Sequence, residues 1–353
     1  MTTLDDPEVR GRLDQDGSYE RISGLPEQCW EAWEQTKGWQ PPPDFREIDK
    51  VIVAGMGGSA IAGDFLQALA FSESRMPVTV VRGYELPAWV DGRTLVIICS
   101  HSGNTEEVLS CFEAARGLPA KKLVITTGGR VLELARLNGV AALQYQYPNV
   151  PRDAFGHGLV RLLVVAGALG LVRTDEARLR GVVQEMQALR EAIGWHAPED
   201  QNDAKKLARG LAGALPLTVG AGYMAPVARR WRTQLNENAD VFAFWDELPE
   251  LDHNLVVGLR HAESILRSTR AVFLDHEGLH ARVRKRYGLT QELFERAGIV
   301  CQRITFPQQD PLAAQLCAVH FGDLASYYLA LLLGVRPVEV ENIDWLKDQL
   351  ARG

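Results

Sequence analysis

Residues 95–107 read LVIICSHSGNTEE, an apolar run of strand length that passes through a hydroxyl-rich turn into a helix start. Similar apolar runs occur on either side of it, at residues 51–54, 78–81 and 122–126, and helix-compatible stretches separate them. Strands that alternate with helices are typical of a parallel sheet. This part of the chain is therefore predicted to be an α/β domain, with a doubly wound parallel sheet flanked by helices.

The same pattern restarts in the second half of the chain, with strands predicted at residues 217–219, 271–274 and 300–304 and a long helix at 312–333. VAGMGGSAIAGD, from residue 53, can be laid over VGAGYMAPVARR, from residue 219; this superposes Val53 on Val219, Ala62 on Ala228 and Leu69 on Leu235. Such self-similarity indicates a duplicated domain. Because Ser59 falls on Ala225 in this overlay, only the first copy is expected to bind an anion at its turn.

Four segments are predicted from these patterns. Residues 1–48 form a helical arm, which Pro41, Pro42 and Pro43 bring to an end, and residues 49–172 form the first domain. Residues 173–206 form a helical linker, and residues 207–353 form the second domain with the C-terminal helices. Each domain is expected to be a three-layer αβα sandwich.

Composition narrows the class of protein. The chain has 353 residues, 24% of them charged, and a net charge of −7, which argues against a nucleic-acid surface; the basic cluster at 282–286 is interpreted as a solvated helix face. The start MTTLDD is acidic where a signal peptide would be basic, and no run of eighteen charge-free apolar residues is found, so a cytoplasmic protein without membrane contact is expected. The five cysteines show no C-x-x-C spacing and are expected to be buried free thiols.

The turn after the first strand reads VIVAGMGGSA over residues 51–60. Gly57, Gly58 and Ser59 would let backbone amides and a helix N-terminus face an anion. Two other interpretations stay open, a plain strand-to-helix turn and a dinucleotide fingerprint, although the next strand ends at Arg82 where an acidic residue would be expected.

The turn within residues 95–107 is more specific, because it crowds three hydroxyls, those of Ser100, Ser102 and Thr105, around Gly-Asn at a helix start. Hydroxyls and free amides form a neutral cradle for a phosphomonoester. The simpler alternative is a capping box that uses Thr105.

The pattern Ser100-x-Ser102-Gly-Asn-Thr105-x-Glu107 is similar to the signature of sugar isomerase (SIS) domains, and the Gly57-Gly58-Ser59 turn matches their first loop. More closely, the chain resembles the bifunctional phosphoglucose/phosphomannose isomerases, from GLPE at residue 24 to DWLK ending at residue 347. The resemblance implies two SIS domains, a hexose 6-phosphate substrate, no cofactor and a homodimer. It implies interconversion of fructose 6-phosphate with glucose 6-phosphate, and with mannose 6-phosphate, through a cis-enediolate.

The same resemblance assigns four catalytic residues. Glu237 would be the base, Arg152 would face the enediolate, His253 of a neighbouring subunit would open the ring, and Lys347 would contact the sugar oxygen. The residues alone leave alternatives: Asp240 and Glu247 for the base, an ion pair of Arg152 with Asp153, and His101, His157 or His320 for the histidine. Arg152 opens a predicted helix, where a cation is unfavourable to the helix dipole, so another function is expected to keep it there.

No cluster of His, Asp, Glu and Cys has metal-ligand spacing, so no metal is expected and activity should persist in chelator. Competing hypotheses are a non-catalytic phosphosugar-binding protein, an isomerase of another sugar phosphate, and an NADP-dependent oxidoreductase using Arg82. The isomerase half of glucosamine-6-phosphate synthase would be accompanied by a glutaminase domain with an N-terminal cysteine, which Met1-Thr2-Thr3 does not offer.

Overall fold

Two separate parallel β-sheets organise the computed structural model, which describes residues 3–350 and 352. The chain divides into two compact units. The first-sheet unit is Gly24–Gln184, and the second-sheet unit combines the residues up to Ser23 with those from Glu185 onward.

The strands are β1 (Lys50–Ala54), β2 (Val78–Val81), β3 (Thr94–Ser100), β4 (Lys121–Thr126), β5 (Ala141–Gln144), β6 (Leu215–Ala221), β7 (Phe244–Leu248), β8 (Thr269–His276) and β9 (Val300–Phe306). The helices are α1 (Pro7–Leu13), α2 (Ser18–Ser23), α3 (Leu25–Thr36), α4 (Gly57–Glu73), α5 (Glu106–Arg116), α6 (Gly129–Leu137), α7 (Phe155–Ala168), α8 (Glu176–Ile193), α9 (Asp203–Leu211), α10 (Ala225–Ala239), α11 (Glu263–Ser268), α12 (Ala281–Arg296), α13 (Pro311–Leu333) and α14 (Glu341–Leu350).

The first sheet has the order β2-β1-β3-β4-β5, with all neighbours parallel. Apolar side chains of β1, β3 and β4, such as Ile52 and Ile98, form a core with Phe112 of α5 and Val131 of α6 on one face. Helix α4 covers the other face so closely that a Cβ atom at Gly63 would lie 2.9 Å from Val53 Cγ1. Helices on both faces make this unit a three-layer αβα sandwich, as predicted.

The second sheet has the order β7-β6-β8-β9 and is also entirely parallel. On one face Phe273 of β8 contacts Tyr287 and Phe294 of α12. On the other, Trp231 of α10 stacks on Phe321 of α13, with ring centroids 5.8 Å apart. The prediction of two doubly wound α/β domains is thus confirmed.

Helix α13, which the sequence predicts as a long helix, is the one described helix that is long and apolar enough to cross a membrane. Of the 18-residue apolar window in this helix, 89% is buried. It contacts α9 and α10 along its length, so we interpret it as a core helix.

The strands predicted from apolar runs are present, with ends no more than two residues from the predicted ones, but β5 and β7 were missed. Both are edge strands, and only one neighbour shields them. β5 reads AALQ, without β-branched residues, and β7 reads FWDEL, with two carboxylates. The compact units also begin and end elsewhere than the predicted segments: the predicted arm is divided after Ser23, and the predicted linker after Gln184.

Candidate active site

The first loop of the candidate site joins β1 to α4 in the first-sheet unit. Gly57 has a φ of 47°, in the left-handed region that favours glycine, and it starts α4. No side chain caps this helix, and the amides of Ser59 and Ala60 donate to the carbonyl oxygen of Met56, which leaves those of Gly57 and Gly58 to face an anion. A Cβ atom at Gly55 would lie 3.0 Å from the carbonyl oxygen of Cys99, which is why the turn can approach β3.

The second loop joins β3 to α5 and holds three hydroxyls in a compact turn. The Oγ atom of Ser100 accepts a hydrogen bond from the amide of Gly103 over 3.0 Å and lies 3.1 Å from Thr105 Oγ1. Ser102 Oγ accepts from the amide of Asn104 over 3.2 Å, and its side chain faces solvent. Thr105 occupies the N-cap position of α5 but makes no capping hydrogen bond, so the capping-box alternative is wrong.

Close backbone contacts hold this second loop in place. Gly103 has a φ of 70°, and a Cβ atom there would lie 1.8 Å from the carbonyl oxygen of Gly128. The carbonyl oxygen of Gly103 accepts a hydrogen bond from the amide of Val131 over 2.9 Å. Any larger residue at position 103 would therefore push the loop away from the turn before α6.

The two loops meet at the carboxyl ends of β1 and β3. β1 and β3 are neighbours, and the chain order reverses between them, which is where open α/β sheets bind ligands. The amide of His101 donates to Ser59 Oγ over 3.2 Å, so the loops are directly bonded. The structure thus brings Ser59, Ser100 and Thr105 together, while the side chain of the fourth predicted hydroxyl, Ser102, faces solvent.

Arg152 lies beside the first loop, in a 3₁₀ helix at Pro151–Ala154. A Cβ atom at Gly58 would lie 3.1 Å from the carbonyl oxygen of Pro151. The far end of this short helix is held by Gln28, whose Nε2 donates to the carbonyl oxygen of Asp153 over 2.8 Å. Arg152 is 5% exposed, which is unusual for arginine and speaks against a purely surface role.

Arg82 is engaged elsewhere in the fold. Its Nη2 atom donates to Asp64 Oδ2 of α4 over 2.5 Å. An arginine already paired with a carboxylate is a poor partner for the 2′-phosphate of NADP. This pairing weakens the oxidoreductase hypothesis.

The second sheet carries a corresponding turn that has lost the hydroxyls. With Val53 superposed on Val219, the sheet register superposes Ile97 on Phe273, so Ser100 falls on His276 and Ser102 on Gly278. His276 Nδ1 is hydrogen-bonded to the Tyr223 hydroxyl across this turn. The second copy therefore offers an anion no hydroxyl cradle, which agrees with the sequence overlay.

Glu237 lies on α10 in the second-sheet unit and lines a cavity of about 840 Å³. The lining residues are Arg232, Asn236, Glu237, Asp240–Trp245 and Glu339–Ile343. Of the two fallback carboxylates, Asp240 lines the same cavity and Glu247 does not. Burial, and then the carboxylates of Asp246 and Glu250, raise the pKa of Glu247, but it lies on β7 outside the lining.

Helix α10 is locked to α13, and this fixes the side of α10 that faces the cavity. Arg230 forms a buried two-pronged ion pair with Asp323, with distances of 3.1 and 2.6 Å. Asn238 Nδ2 donates to Ser326 Oγ over 2.9 Å, next to Glu237 in the chain. Buried polar pairs of this kind hold one packing arrangement only when both partners are present.

His253 and Lys347 lie outside this cavity. His253 is exposed at the end of a 3₁₀ helix at Glu250–His253, and the preceding Asp252 accepts hydrogen bonds from Arg286 over 2.8 Å and from Thr290 over 2.7 Å. Lys347 is exposed on α14, with Nζ 3.5 Å from Asp344 Oδ1. The cavity wall at Glu339–Ile343 lies just before Lys347 in the chain, but the structure does not bring the lysine into the lining.

The other histidines named from the sequence are buried or partly buried. Burial, and then Arg161 and His101, lower the pKa of His157 to about 4, so it is neutral at physiological pH. Burial also lowers the pKa of His101. His320 lies in the core on α13. Cys29, Cys99, Cys111 and Cys317 are buried free thiols as predicted, whereas Cys301 is half-buried.

Sequence reasoning missed Tyr145, Tyr147 and Arg232. The tyrosines follow β5, so recognition of that strand would have placed them at the carboxyl edge of the sheet. Arg232 lines the cavity beside Glu237, and burial lowers its pKa while Glu237 acts in the opposite direction. Within residues 3–350 and 352 no group of three His, Cys, Asp or Glu side chains is arranged to hold a metal ion.

The family described as bacterial phospho-glucose isomerase C-terminal SIS domain matches residues 200–350. The bifunctional phosphoglucose/phosphomannose isomerase of Caldicellulosiruptor bescii is 35% identical over 334 residues, covering 94% of this chain and 98% of the relative. The protein of the same description from Aquifex aeolicus is 32% identical, covering 88% of this chain and 92% of the relative.

Solved structures agree on the fold. A glucose-6-phosphate isomerase like protein from Thermus thermophilus superposes with a TM-score of 0.65 at 20% identity, covering 97% of this chain and all of the other. Identity over nearly the full length of both sequences, together with the phosphate-type loops, decides the family. The chain belongs to the bifunctional phosphoglucose/phosphomannose isomerase family.

Proposed function

We propose that this chain interconverts fructose 6-phosphate with both glucose 6-phosphate and mannose 6-phosphate, through a cis-enediolate and without a metal. The observation that carries the proposal is the meeting of Ser59, Ser100 and Thr105 at the switch point of the first sheet. Three hydroxyls beside two uncapped helix N-termini suit a phosphomonoester, which is what the family's substrates share.

In the proposed mechanism the amides around Gly57 and Gly58 and the hydroxyls of Ser59, Ser100, Ser102 and Thr105 hold the phosphate. Glu237 removes the proton from C2 of the aldose and returns it to C1, and in the reverse direction it moves the proton from C1 to C2. The positive charge of Arg152 stabilises the enediolate oxygens that form between these steps. Rotation of the enediolate about its C2–C3 bond presents either face of C2 to Glu237, so one base can serve both aldoses.

Ring opening must precede proton transfer, since the sugar phosphates are mainly cyclic. We assign this step to His253, which protonates the ring oxygen or accepts the anomeric proton, and to Lys347, which contacts the sugar oxygen. The assignments come from the family resemblance, and the exposure of both side chains leaves them accessible to a substrate.

The proposal includes a homodimer in which His253 reaches the site of the neighbouring subunit. His253 is exposed in its own chain, and the segment that follows it presents apolar side chains to solvent, among them Leu255, Val257 and Ile265. Helix α11, in the same segment, buries no residue. Large exposed apolar side chains in one segment are typical of a protein–protein contact.

The test is a coupled assay that starts from fructose 6-phosphate in the presence of chelator and follows glucose 6-phosphate and mannose 6-phosphate separately. Formation of both aldoses is the expected result. Binding of a hexose phosphate without turnover would instead indicate a non-catalytic phosphosugar-binding protein. Turnover of a different phosphosugar only would indicate an isomerase of another specificity.

A further inference from the structure

His101 lies inside the second loop, yet its imidazole turns away from the hydroxyl cradle. Its Nδ1 atom lies 3.1 Å from the hydroxyl oxygen of Tyr145, and its Nε2 atom lies 3.0 Å from the carbonyl oxygen of Asn149. A carbonyl oxygen only accepts, so Nε2 carries the proton and Nδ1 accepts from the tyrosine. This histidine therefore joins the loop after β3 to the segment after β5.

The main chain of His101 is bonded as firmly as its ring. The amide donates to Ser59 Oγ over 3.2 Å. The carbonyl oxygen accepts from the Thr127 hydroxyl over 2.6 Å and from the Thr127 amide over 3.2 Å. Through one residue the first loop, the second loop and the turn after β4 are connected.

Tyr145, the partner of Nδ1, is itself held in place by His157 and Arg161. Its ring stacks on His157 with centroids 5.3 Å apart, and the guanidinium carbon of Arg161 lies 4.7 Å from its centre. Burial raises the pKa of Tyr145, so its hydroxyl remains a donor. The neutral state of His101 agrees with its role as acceptor, since burial lowers its pKa.

Asn149, the partner of Nε2, stands just before the 3₁₀ helix that carries Arg152. The His101 ring holds the start of this segment, and Gln28 holds its end at the Asp153 carbonyl oxygen. Asn149 itself is exposed, so its side chain contributes little packing that could replace the bond from His101. Without the hydrogen bond from His101, the residues that lead into the Arg152 turn would lose their fixed position.

We infer that His101 is a positioning residue, which sets the Arg152 turn at a fixed distance from the phosphate-binding loops through its bonds to Ser59, Tyr145 and Asn149. The inference rests on the proposed function, because it assumes that Arg152 faces the reacting carbons while the loops hold the phosphate. Loss of the imidazole should leave phosphate binding in place and misplace the arginine. Misplacement by about an ångström is enough to cost roughly 100-fold in rate.

The experiment compares two ligands in the full-length protein. Inorganic phosphate probes the loops alone, and 5-phosphoarabinonate, whose carboxylate resembles the enediolate, probes the loops and Arg152 together. In His101→Leu we expect affinity for 5-phosphoarabinonate to fall about 10- to 100-fold and kcat to fall in parallel, with the affinity for phosphate and KM changed less than about 3-fold.

Three further variants make the result specific. His101→Gln keeps an Nε2 donor for Asn149 and should recover most of the lost affinity. Tyr145→Phe removes one hydroxyl, keeps the ring contacts and should give a smaller loss of the same kind, which preserves the test if the leucine variant does not fold. His196→Leu, at an exposed histidine, is the control and should change nothing.

If a folded His101→Leu variant lost affinity for both ligands equally, the inference would be overturned, because the hydroxyl cradle as a whole would then have lost its structure. Unchanged affinity for 5-phosphoarabinonate would overturn it as well. The ligand comparison needs no turnover. Failure of the isomerase proposal, seen as no aldose formed by the unaltered protein, is therefore distinguishable from failure of the positioning role.

Discussion

The amide of His101 donates a hydrogen bond to the hydroxyl of Ser59 over 3.2 Å, and this contact joins two loops that lie 42 residues apart in the sequence. The consequence is a shared cradle: movement of either loop changes the hydroxyl geometry of both. Phosphate binding by hydroxyls and amides depends on such geometry, because each neutral donor must point at a phosphate oxygen to bind it.

Ser100→Ala should weaken substrate binding more than turnover. Ser100 Oγ orients the Gly103 amide and lies beside Thr105, so its removal loosens two groups as well as deleting one hydroxyl. A hydrogen bond to a charged group contributes roughly 1.5–3 kcal/mol, so KM and the inhibition constant of phosphate should rise at least about 10-fold. Steady-state kinetics measure this.

The matched control is Ser72→Ala, on α4 of the same unit, where the hydroxyl bonds only the carbonyl oxygen of Leu69. It should behave as the unaltered protein does. If Ser100→Ala left both constants unchanged, phosphate would have to bind elsewhere.

Asp252→Asn should impair the step assigned to His253. The Asp252 carboxylate is held by Arg286 and Thr290 of α12, and it anchors the short helix that ends in the histidine. A weakened anchor should lower kcat by about 10-fold, equivalent to ~1.4 kcal/mol, with KM little changed. The control is Arg282→Gln, at an exposed position on α12, which should leave kcat unchanged. A similar loss of kcat in both variants would contradict a specific role of Asp252, because it would mean that any change on or beside α12 impairs turnover.

Gly322→Ala should destabilise the second-sheet unit. A Cβ atom at Gly322 would lie 2.2 Å from Trp231 Nε1, between α13 and α10. Overpacking of this kind typically costs about 1–3 kcal/mol, and it should also disturb Glu237 on α10. Denaturant unfolding monitored by tryptophan fluorescence measures the loss.

Gly210→Ala provides the opposite result as a control, because no atom lies within 4 Å of its Cβ position on α9. There alanine should stabilise by about 0.5–1 kcal/mol. Equal effects of the two substitutions would mean that the contact with Trp231 relaxes freely.

Acid should destabilise the first-sheet unit through His157. Its pKa is lowered to about 4 in the folded chain, by burial first and then by Arg161 and His101, whereas an unfolded histidine titrates near its ordinary value of about 6.5. Between these values the unfolded chain binds more protons, so the free energy of unfolding falls as pH drops from about 6.5 to about 4.

His157→Gln removes this titration. We expect a less stable protein whose unfolding free energy changes less steeply with pH across that window, measured by urea unfolding at several pH values. The same slope in both proteins would assign the acid sensitivity to other groups.

The hydroxyl-bearing turn of the candidate site could be predicted because its sequence signal is local. Ser100, Ser102 and Thr105 lie within six residues, and a strand before them and a helix after them are enough to aim the hydroxyls. The apolar central strands were predictable for the same reason, since a strand buried on both faces reads as a continuous apolar run.

The features that sequence reasoning missed depend on edge strands and on packing between residues far apart in the chain. The bond from His101 to Tyr145 requires β5, an edge strand whose residues Ala141–Gln144 carry little β-propensity. The side of α10 that faces the cavity is set by Arg230 and Asp323, which lie 93 residues apart. Neither contact leaves a periodic signal in the sequence.

Glu237→Gln, assayed beside Glu247→Gln with saturating fructose 6-phosphate in chelator, tests the proposed base most directly. Circular dichroism and 5-phosphoarabinonate binding would establish that both variants remain folded and bind ligand. Loss of a general base should lower the rates of glucose 6-phosphate and mannose 6-phosphate formation together, by about 100- to 10,000-fold, in Glu237→Gln alone. Retention of both activities in that variant, or loss of only one aldose, would contradict a single base at Glu237.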